Sequence, residues 1–145
     1  VNQLLNSCIE DQLSAINQKN LNIDLSELPD DIYITGDQNF TGKCFTNIIT
    51  NAINFSTDNG TITIKAFEKD DSIDIIIKDQ GPGFPAHILR TRFQPFAVGK
   101  EHLDEIKGLG LNLAKLIMDA HVGEISLSNG SDGGAVVSLK FKKEC

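Results

Sequence analysis

Cysteines, basic residues and long apolar runs are all scarce in this chain of 145 residues. Its three cysteines are far apart and form no CxxC pair, so we expect reduced thiols rather than a zinc site or a disulfide framework. Thirteen basic residues against 20 acidic ones give a net charge of −7, which argues against a nucleic-acid partner. No apolar run approaches the roughly 20 residues of a membrane span, and no signal peptide is visible. We therefore expect a cytoplasmic domain without a membrane segment, cut from a longer parent protein that could itself be anchored.

The length suits a single domain over residues 1–145. Apolar periodicity predicts helices at 2–19, 38–56 and 108–123, and strands at 21–25, 30–37, 61–69, 72–79, 124–129 and 135–142. The strands outnumber the helices and come in pairs. We therefore predict an α+β two-layer sandwich, with a mixed, mostly antiparallel sheet of about five strands packed on about three helices.

One predicted helix carries an unusual row of amides. In "NIITNAINFS" (47–56), Asn47, Asn51 and Asn54 fall within an arc of roughly 60°, opposite an apolar face. An amide offers an acceptor oxygen and two donor hydrogens, and Mg²⁺ prefers oxygen ligands. This face could therefore hold a metal and phosphates, or it could simply be solvated.

Two glycine-containing segments follow later in the chain. "IDIIIKDQGPGFP" ends an apolar strand at Asp79, where a carboxylate could accept a hydrogen bond in a pocket and glycines would let a ligand approach the backbone. Aspartate and glycine are also common in ordinary loops. "GLGLNLAK" opens a helix at Gly108 and Gly110, and a helix N-terminus suits a phosphate. Those glycines could equally serve close packing.

The order of these segments is more specific than any one of them. An amide-bearing helix, D-x-G-x-G, "RFQPF" and a helix opened by G-L-G-L together resemble the catalytic ATP-binding domain of sensor histidine kinases. This is a branch of the Bergerat-fold (GHKL) ATPases, with gyrase, Hsp90 and MutL as relatives, and the resemblance covers residues 1–142. "NIITNAINFS" resembles the N box, "DQGPGF" the G1 box, "RFQPF" the F box and "GLGLNLAK" the G2 box. The resemblance implies ATP and Mg²⁺ as ligands.

The resemblance also implies a role for each matching residue. Asn51 would coordinate Mg²⁺, and Asn47 would support the metal and the phosphates. Phe55 would pack against adenine, while Asp79 would accept from its exocyclic amine. The other implied nucleotide-binding residues are Asn54, Gly81, Gly83, Phe84, Lys100, Gly108, Leu109, Gly110 and Leu111. Residues 97–107 would form the ATP lid, anchored by Phe93 and Phe96.

Asn47 favours a kinase over a hydrolase. In the hydrolysing relatives an acidic residue at this position activates water, whereas an amide takes up no proton near neutral pH. The chain also departs from the family pattern. Asn54 stands where a basic residue usually contacts phosphate, a charge that Lys100 could partly replace. Ile106 stands where the first G2 glycine usually lies, and "GSDGGAVV" lacks the usual threonine. These departures leave open an alternative, a pseudokinase-like module that binds nucleotide or a partner without catalysis.

The phosphoacceptor histidine is not expected in this chain. His87, His102 and His121 are isolated, and none lies early on a long helix with the acceptor pattern. The resemblance implies that the γ-phosphoryl passes to a histidine on a separate dimerisation domain and then to the receiver domain of a response regulator. We expect the fragment to bind Mg·ATP but to phosphorylate nothing by itself.

Overall fold

The computed structural model describes residues 2–29, 38–84, 114–121, 123–130 and 133–142. The helices are α1 (Asn2–Asp11), α2 (Leu13–Gln18), α3 (Gln38–Phe55) and α4 (114–120). The strands are β1 (Asn22–Asp24), β2 (Thr61–Glu68), β3 (Ser72–Lys78), β4 (Glu124–Asn129) and β5 (Ala135–Lys142). Within these ranges, no helix combines the length and the apolar character that crossing a bilayer requires.

The strands form one five-stranded sheet in the order β1-β2-β3-β5-β4. β1 runs parallel to β2, and the chain between them contains α3, because parallel neighbours need a crossover connection. The pairs β2–β3, β3–β5 and β5–β4 are antiparallel. The predicted α+β sandwich with a mixed, mostly antiparallel sheet is confirmed.

One face of the sheet packs against the helices and the other is polar. In β2, buried Ile62, Ile64 and Ala66 alternate with partly exposed threonines and a lysine. This period of two is what places apolar side chains on one face of a strand. On the helix side, Phe45 of α3 meets Phe141 of β5 edge to face, with ring centroids 6.2 Å apart. The core therefore lies between α3 and the centre of the sheet.

The prediction of one continuous helix over residues 2–19 is wrong at a single position. Gln12 separates α1 from α2 with φ −108° and ψ 10°. Its backbone N–H bonds to the oxygen of Ile9, three residues back instead of four, so the α-helical hydrogen bonding is interrupted. No proline or glycine in this stretch indicates the break in advance.

α2 ends in a Schellman motif, which turns the chain into β1. Asn20 adopts a left-handed conformation with φ 51°. The N–H of Leu21 bonds to the oxygen of Ile16, and the N–H of Asn20 bonds to that of Asn17. Leu21 and Ile16 are both buried, so the motif also contributes to the core. The predicted strand at 30–37 and the predicted lid at 97–107 lie outside the described residues.

Candidate functional site

The three asparagines of "NIITNAINFS", in the C-terminal half of α3, lie in three different environments. Asn51 is only 6% exposed, although it is polar and sits on a helix. Asn47 is half-buried, and within the described structure its Nδ2 atom is enclosed without a hydrogen-bond partner. Asn54 is exposed. A purely solvated helix face would expose all three, so this alternative does not account for Asn51 or Asn47.

Asp79 is a buried carboxylate held by backbone N–H groups. It is 3% exposed and directly follows β3. Its Oδ1 atom accepts from the N–H of Gly81 at 2.9 Å and from the N–H of Ala135 at 3.0 Å. The N–H of Asp79 donates in turn to the oxygen of Ala135 at 3.0 Å. These bonds offset part of the cost of burying a charge and fix the orientation of the carboxylate.

Asn51 and Asp79 share one cleft with an otherwise apolar lining. Phe84, at the end of the D-x-G-x-G segment, is 4% exposed and forms part of the same wall. The remaining lining residues are Ile48, Ala52, Ile77, Ala135 and Val137. The enclosed space is about 10 Å³, roughly enough for one water molecule, so a larger ligand requires the walls to part. An apolar cleft with two convergent polar groups is typical of a small-molecule site.

A second set of contacts fixes the segment that carries Asp79. Gln80 accepts through its backbone oxygen from Thr57 Oγ1 at 3.2 Å, and through Oε1 from the N–H of Thr61 at 2.9 Å. Thr57 lies in the turn between α3 and β2, and Thr61 is the first residue of β2. The segment is therefore attached to the end of the amide-bearing helix as well as to β5.

Three contributors to this arrangement were not found from the sequence. Lys19 bonds to the last carbonyls of α3, Ala135 binds Asp79 through its backbone, and Asn129 binds the backbone of Phe84. All three act over 34 or more positions of the chain. A lone lysine after a helix, or an asparagine before a glycine, is more typical of a surface turn, so local patterns carry no signal for these roles.

The other implied site residues divide into those outside the described ranges and those beside Asp79. Lys100, Phe93, Phe96 and the G2-box residues Gly108, Leu109, Gly110 and Leu111 lie outside the described residues, as does the side chain of Phe55. Gly81 and Gly83 are placed next to Asp79, as their position in the D-x-G-x-G segment requires.

The two thiols in the described part of the chain, Cys8 and Cys44, do not offer a nucleophile. Burial raises the pKa of Cys44 to about 12, and burial also raises the pKa of Cys8 despite a hydrogen bond that its sulfur accepts from Thr46. Both side chains therefore stay protonated near neutral pH. Because cysteine reacts as the thiolate, neither of them is a good nucleophile. Within the described ranges, no cluster of three or more histidine, cysteine or acidic side chains could hold a metal.

Asn51 and Asn47 fit a metal ion that is bound together with a ligand, rather than a metal ion held by protein side chains alone. Mg²⁺ typically takes one or two protein oxygens and completes its shell with water and phosphate oxygens. The buried amide of Asn51 offers one such oxygen. One turn away, the unpartnered Nδ2 of Asn47 offers a donor for an anionic ligand.

Comparison with known proteins assigns the family. A profile of the histidine kinase-, DNA gyrase B- and HSP90-like ATPases matches residues 36–144. The chain belongs to this family. The match includes the amide-bearing helix, the D-x-G-x-G segment and both strands of the β4–β5 hairpin.

Relatives within the family are sensor kinases. The heme sensor protein HssS of Staphylococcus saprophyticus is 32% identical over 143 residues, which are 99% of this chain and 30% of that protein. Sporulation kinase A of Bacillus subtilis is 35% identical over 130 residues, which are 88% of this chain and 21% of that protein. The chain thus spans less than a third of the length of these relatives.

Solved structures share the fold. The catalytic domain of histidine kinase ThkA superposes with a TM-score of 0.83 at 23% identity, covering 98% of this chain and 93% of that one. Full-length ShkA in complex with AMPPNP superposes with a TM-score of 0.77 at 22% identity, covering 99% of this chain and 30% of that one. This chain therefore has the fold of a histidine-kinase catalytic domain.

Proposed function

We propose that the chain is the catalytic domain of a sensor histidine kinase, which binds Mg·ATP and donates the γ-phosphoryl to a histidine on a separate dimerisation domain. The observation that carries this proposal is the buried carboxylate of Asp79 in an apolar cleft that also contains Asn51. The family assignment, the sensor-kinase relatives and the AMPPNP complex of ShkA support the same ligand class.

Each described residue has a distinct task in this proposal. Asp79 accepts from the exocyclic amine of adenine, and the apolar wall that includes Phe84 covers the ring. Asn51 would hold Mg²⁺, and Asn47, whose Nδ2 has no partner among the described residues, would donate to a phosphate oxygen beside the metal. The metal, when bound, neutralises charge on the phosphates. Lys100 and residues 108–111 lie outside the described residues, and the family resemblance implies that they would contact the phosphates.

Asn47 also preserves ATP for transfer. An amide cannot remove a proton from water near neutral pH, so direct hydrolysis receives no general base from this position. The transfer then requires an external nucleophile. The bond between the γ-phosphorus and the bridging oxygen breaks, a P–N bond forms on the acceptor imidazole, and ADP leaves. In this proposal the acceptor histidine lies on the dimerisation domain of the parent protein, in its cytoplasmic part. The phosphoryl group is then transferred from that histidine to the receiver domain of a response regulator.

The adenine contact is tested with Asp79→Asn. Because Oδ1 is fixed by two backbone donors, the asparagine oxygen keeps that position and its NH₂ replaces the second carboxylate oxygen. A donor then faces the adenine amine, which is also a donor. We expect the affinity for Mg·AMPPNP in calorimetry to fall more than about tenfold, the penalty for an unpaired buried polar group. Asp70→Asn, the same charge change at the exposed β2–β3 turn, is the control.

The outcomes of this titration are distinct. No binding of Mg·AMPPNP by the unmodified chain would contradict a nucleotide site. Equal affinity in both variants would remove Asp79 from adenine recognition. Separately, Asn51→Asp adds a negative charge at the proposed ligand and should change the Mg²⁺ concentration dependence of binding; an unchanged dependence would argue against the ligand role.

Transfer is tested by adding the dimerisation domain of the parent protein. We expect acid-labile, base-stable phosphate on that domain and none on the isolated 145-residue chain. Nucleotide binding without transfer would select the pseudokinase-like alternative, for which the arguments are Asn54 in place of a basic residue and Ile106 in place of a glycine. Robust phosphohistidine on the isolated chain would contradict the proposed division between catalytic and acceptor domains.

A further inference from the structure

Asn129, the last residue of β4, binds the backbone of the D-x-G-x-G segment through both atoms of its amide. The N–H of Phe84 donates to Asn129 Oδ1 at 2.7 Å, and Asn129 Nδ2 donates to the oxygen of Phe84 at 3.2 Å. The two residues are 45 positions apart in the chain. The side-chain amide thus pairs with Phe84 as the backbone of a neighbouring strand would.

The glycine before Phe84 is required for this contact. Gly83 has φ +84°, a conformation that favours glycine. A Cβ atom there would lie 2.7 Å from Asn129 Oδ1 and 2.5 Å from the backbone oxygen of Gly133. The segment therefore lies directly against the β4–β5 hairpin, and the second glycine of D-x-G-x-G is explained by this contact with the protein itself.

The same hairpin holds the other end of the segment. Ala135, which pairs with Asn129 in the β4–β5 register, exchanges hydrogen bonds with Asp79. Ala135 and Asn129, which lie opposite each other on β5 and β4, thus hold the two ends of residues 79–84. Asp79 and Phe84, at those two ends, both line the cleft. The hairpin consequently determines the distance between the carboxylate of Asp79 and Phe84 in the apolar wall.

We propose that Asn129 is a positioning residue for base recognition. It acts through Phe84 and sets the spacing between the apolar wall and the carboxylate of Asp79. This inference rests on the proposed nucleotide site and adds to it a determinant outside the four sequence boxes. Loss of the amide contact leaves Asp79 attached to Ala135 but removes the two hydrogen bonds between Asn129 and the backbone of Phe84. The result is a cleft that still binds a nucleotide and discriminates less between bases.

The test compares Asn129→Ala with Ser128→Ala, an equally conservative change at the exposed neighbouring residue. Affinities for Mg·AMPPNP and for the guanine analogue Mg·GMPPNP are measured on the 145-residue chain, together with the urea midpoint. We expect Asn129→Ala to weaken AMPPNP binding about five- to tenfold, as for the loss of one or two hydrogen bonds. Binding of GMPPNP should change less than about twofold, because its base does not match the carboxylate acceptor.

A second variant separates hydrogen bonding from volume. Asn129→Asp keeps the acceptor for the N–H of Phe84 but replaces the donor to its oxygen with a charge, so it should also narrow the preference for adenine. Asn22→Asp adds the same charge on β1, at the opposite edge of the sheet, and should leave the preference unchanged. Equal losses for both nucleotides, in proportion to a lower urea midpoint, would show a merely structural role and overturn the proposal.

Amide hydrogen exchange at Phe84 distinguishes failure of this inference from failure of the proposed function. Faster exchange in Asn129→Ala, combined with no AMPPNP binding by the unmodified chain, would mean that the contact exists but the nucleotide site does not. Unchanged exchange at Phe84, combined with normal binding by both proteins, would mean that the site exists and Asn129 does not position it. Either result overturns the positioning role.

Discussion

Lys19 holds the C-terminal end of the amide-bearing helix, and its removal should weaken the fold measurably. Its Nζ atom donates to the backbone oxygens of Ile53 at 2.9 Å, Asn54 at 3.0 Å and Ser56 at 3.0 Å. The last carbonyls of a helix have no partner within the helix, and the dipole there favours a cation. Lys19→Met removes the ammonium group and keeps most of the apolar stem.

The expected loss follows from these three contacts. A partly buried cation at a helix C-terminus stabilises by up to about 2 kcal/mol. The three bonds are not additive, because they share one charge and the contact with Asn54 is solvent-exposed. We therefore expect the free energy of unfolding to fall by about 1.5–2 kcal/mol. Lys115→Met is the matched control, since Lys115 pairs with Asp119 on an exposed helix surface and should contribute only about 0.3–0.5 kcal/mol.

Urea denaturation of both variants measures the difference directly, provided that the m-values agree. Because the contacts to Ile53 and Ser56 are partly buried, 1 M salt should reduce the effect of Lys19→Met only in part. If Lys19→Met and Lys115→Met differ by less than about 0.5 kcal/mol, the value typical of unremarkable surface changes, the capping argument is refuted.

Three further perturbations test other contacts. In Gly134→Ala the new Cβ would lie against the backbone oxygen of Asp79, so the free energy of unfolding measured with urea should fall by at least about 2 kcal/mol. Gly133 has open space around it, so Gly133→Ala should lower the free energy of unfolding by only about 1 kcal/mol, through backbone strain. Asp79→Ala leaves two backbone donors without their acceptor and should lower the free energy of unfolding by about 2–3 kcal/mol. Asp79→Asn keeps that acceptor oxygen, so an equal loss in the two variants would contradict this reasoning. Burial raises the pKa of Cys44 from 9.0 to about 12, so its contribution to stability is complete below pH 9 and declines as the pH rises towards 12. Between pH 8 and pH 11, the urea midpoint should fall less steeply for Cys44→Ala than for the unmodified chain. Parallel curves for the two proteins would contradict the argument that burial raises the pKa of this thiol.

The fold was largely predictable because its elements have strong local periodicity. The prediction of helix 38–56 agrees with α3 (Gln38–Phe55) within one residue, and the strands predicted at 124–129 and 135–142 agree with β4 and β5. The break at Gln12 was not predictable, because no proline or glycine precedes it and both α1 and α2 continue the apolar pattern. Local pattern predicts the elements well and their interruptions poorly.

The site was predictable only in part, for a related reason. The segment order indicated Asn51, Asp79 and Phe84, and the structure brings these residues to one cleft. Lys19 and Asn129 were missed because their contacts join parts of the chain 34 and 45 positions apart. Neither a lysine nor an asparagine indicates by its type a hydrogen-bond partner so far away along the chain. Such positions follow from the register of β4 with β5 and from the approach of Lys19, just after α2, to the end of α3, which exist only in the folded chain.

The asparagines of α3 show how identical side chains can acquire different chemistry. Spacing alone placed Asn47, Asn51 and Asn54 on one face and assigned them one environment. Packing of α3 against the sheet buries Asn51, encloses the Nδ2 of Asn47 and leaves Asn54 in solvent. A buried amide without a protein partner costs free energy, so such a group is tolerated where a ligand completes its hydrogen bonding. This cost distinguishes Asn47 from Asn54, and it predicts that a nucleotide bound in the cleft will protect α3 near Asn47 from hydrogen exchange more than near Asn54.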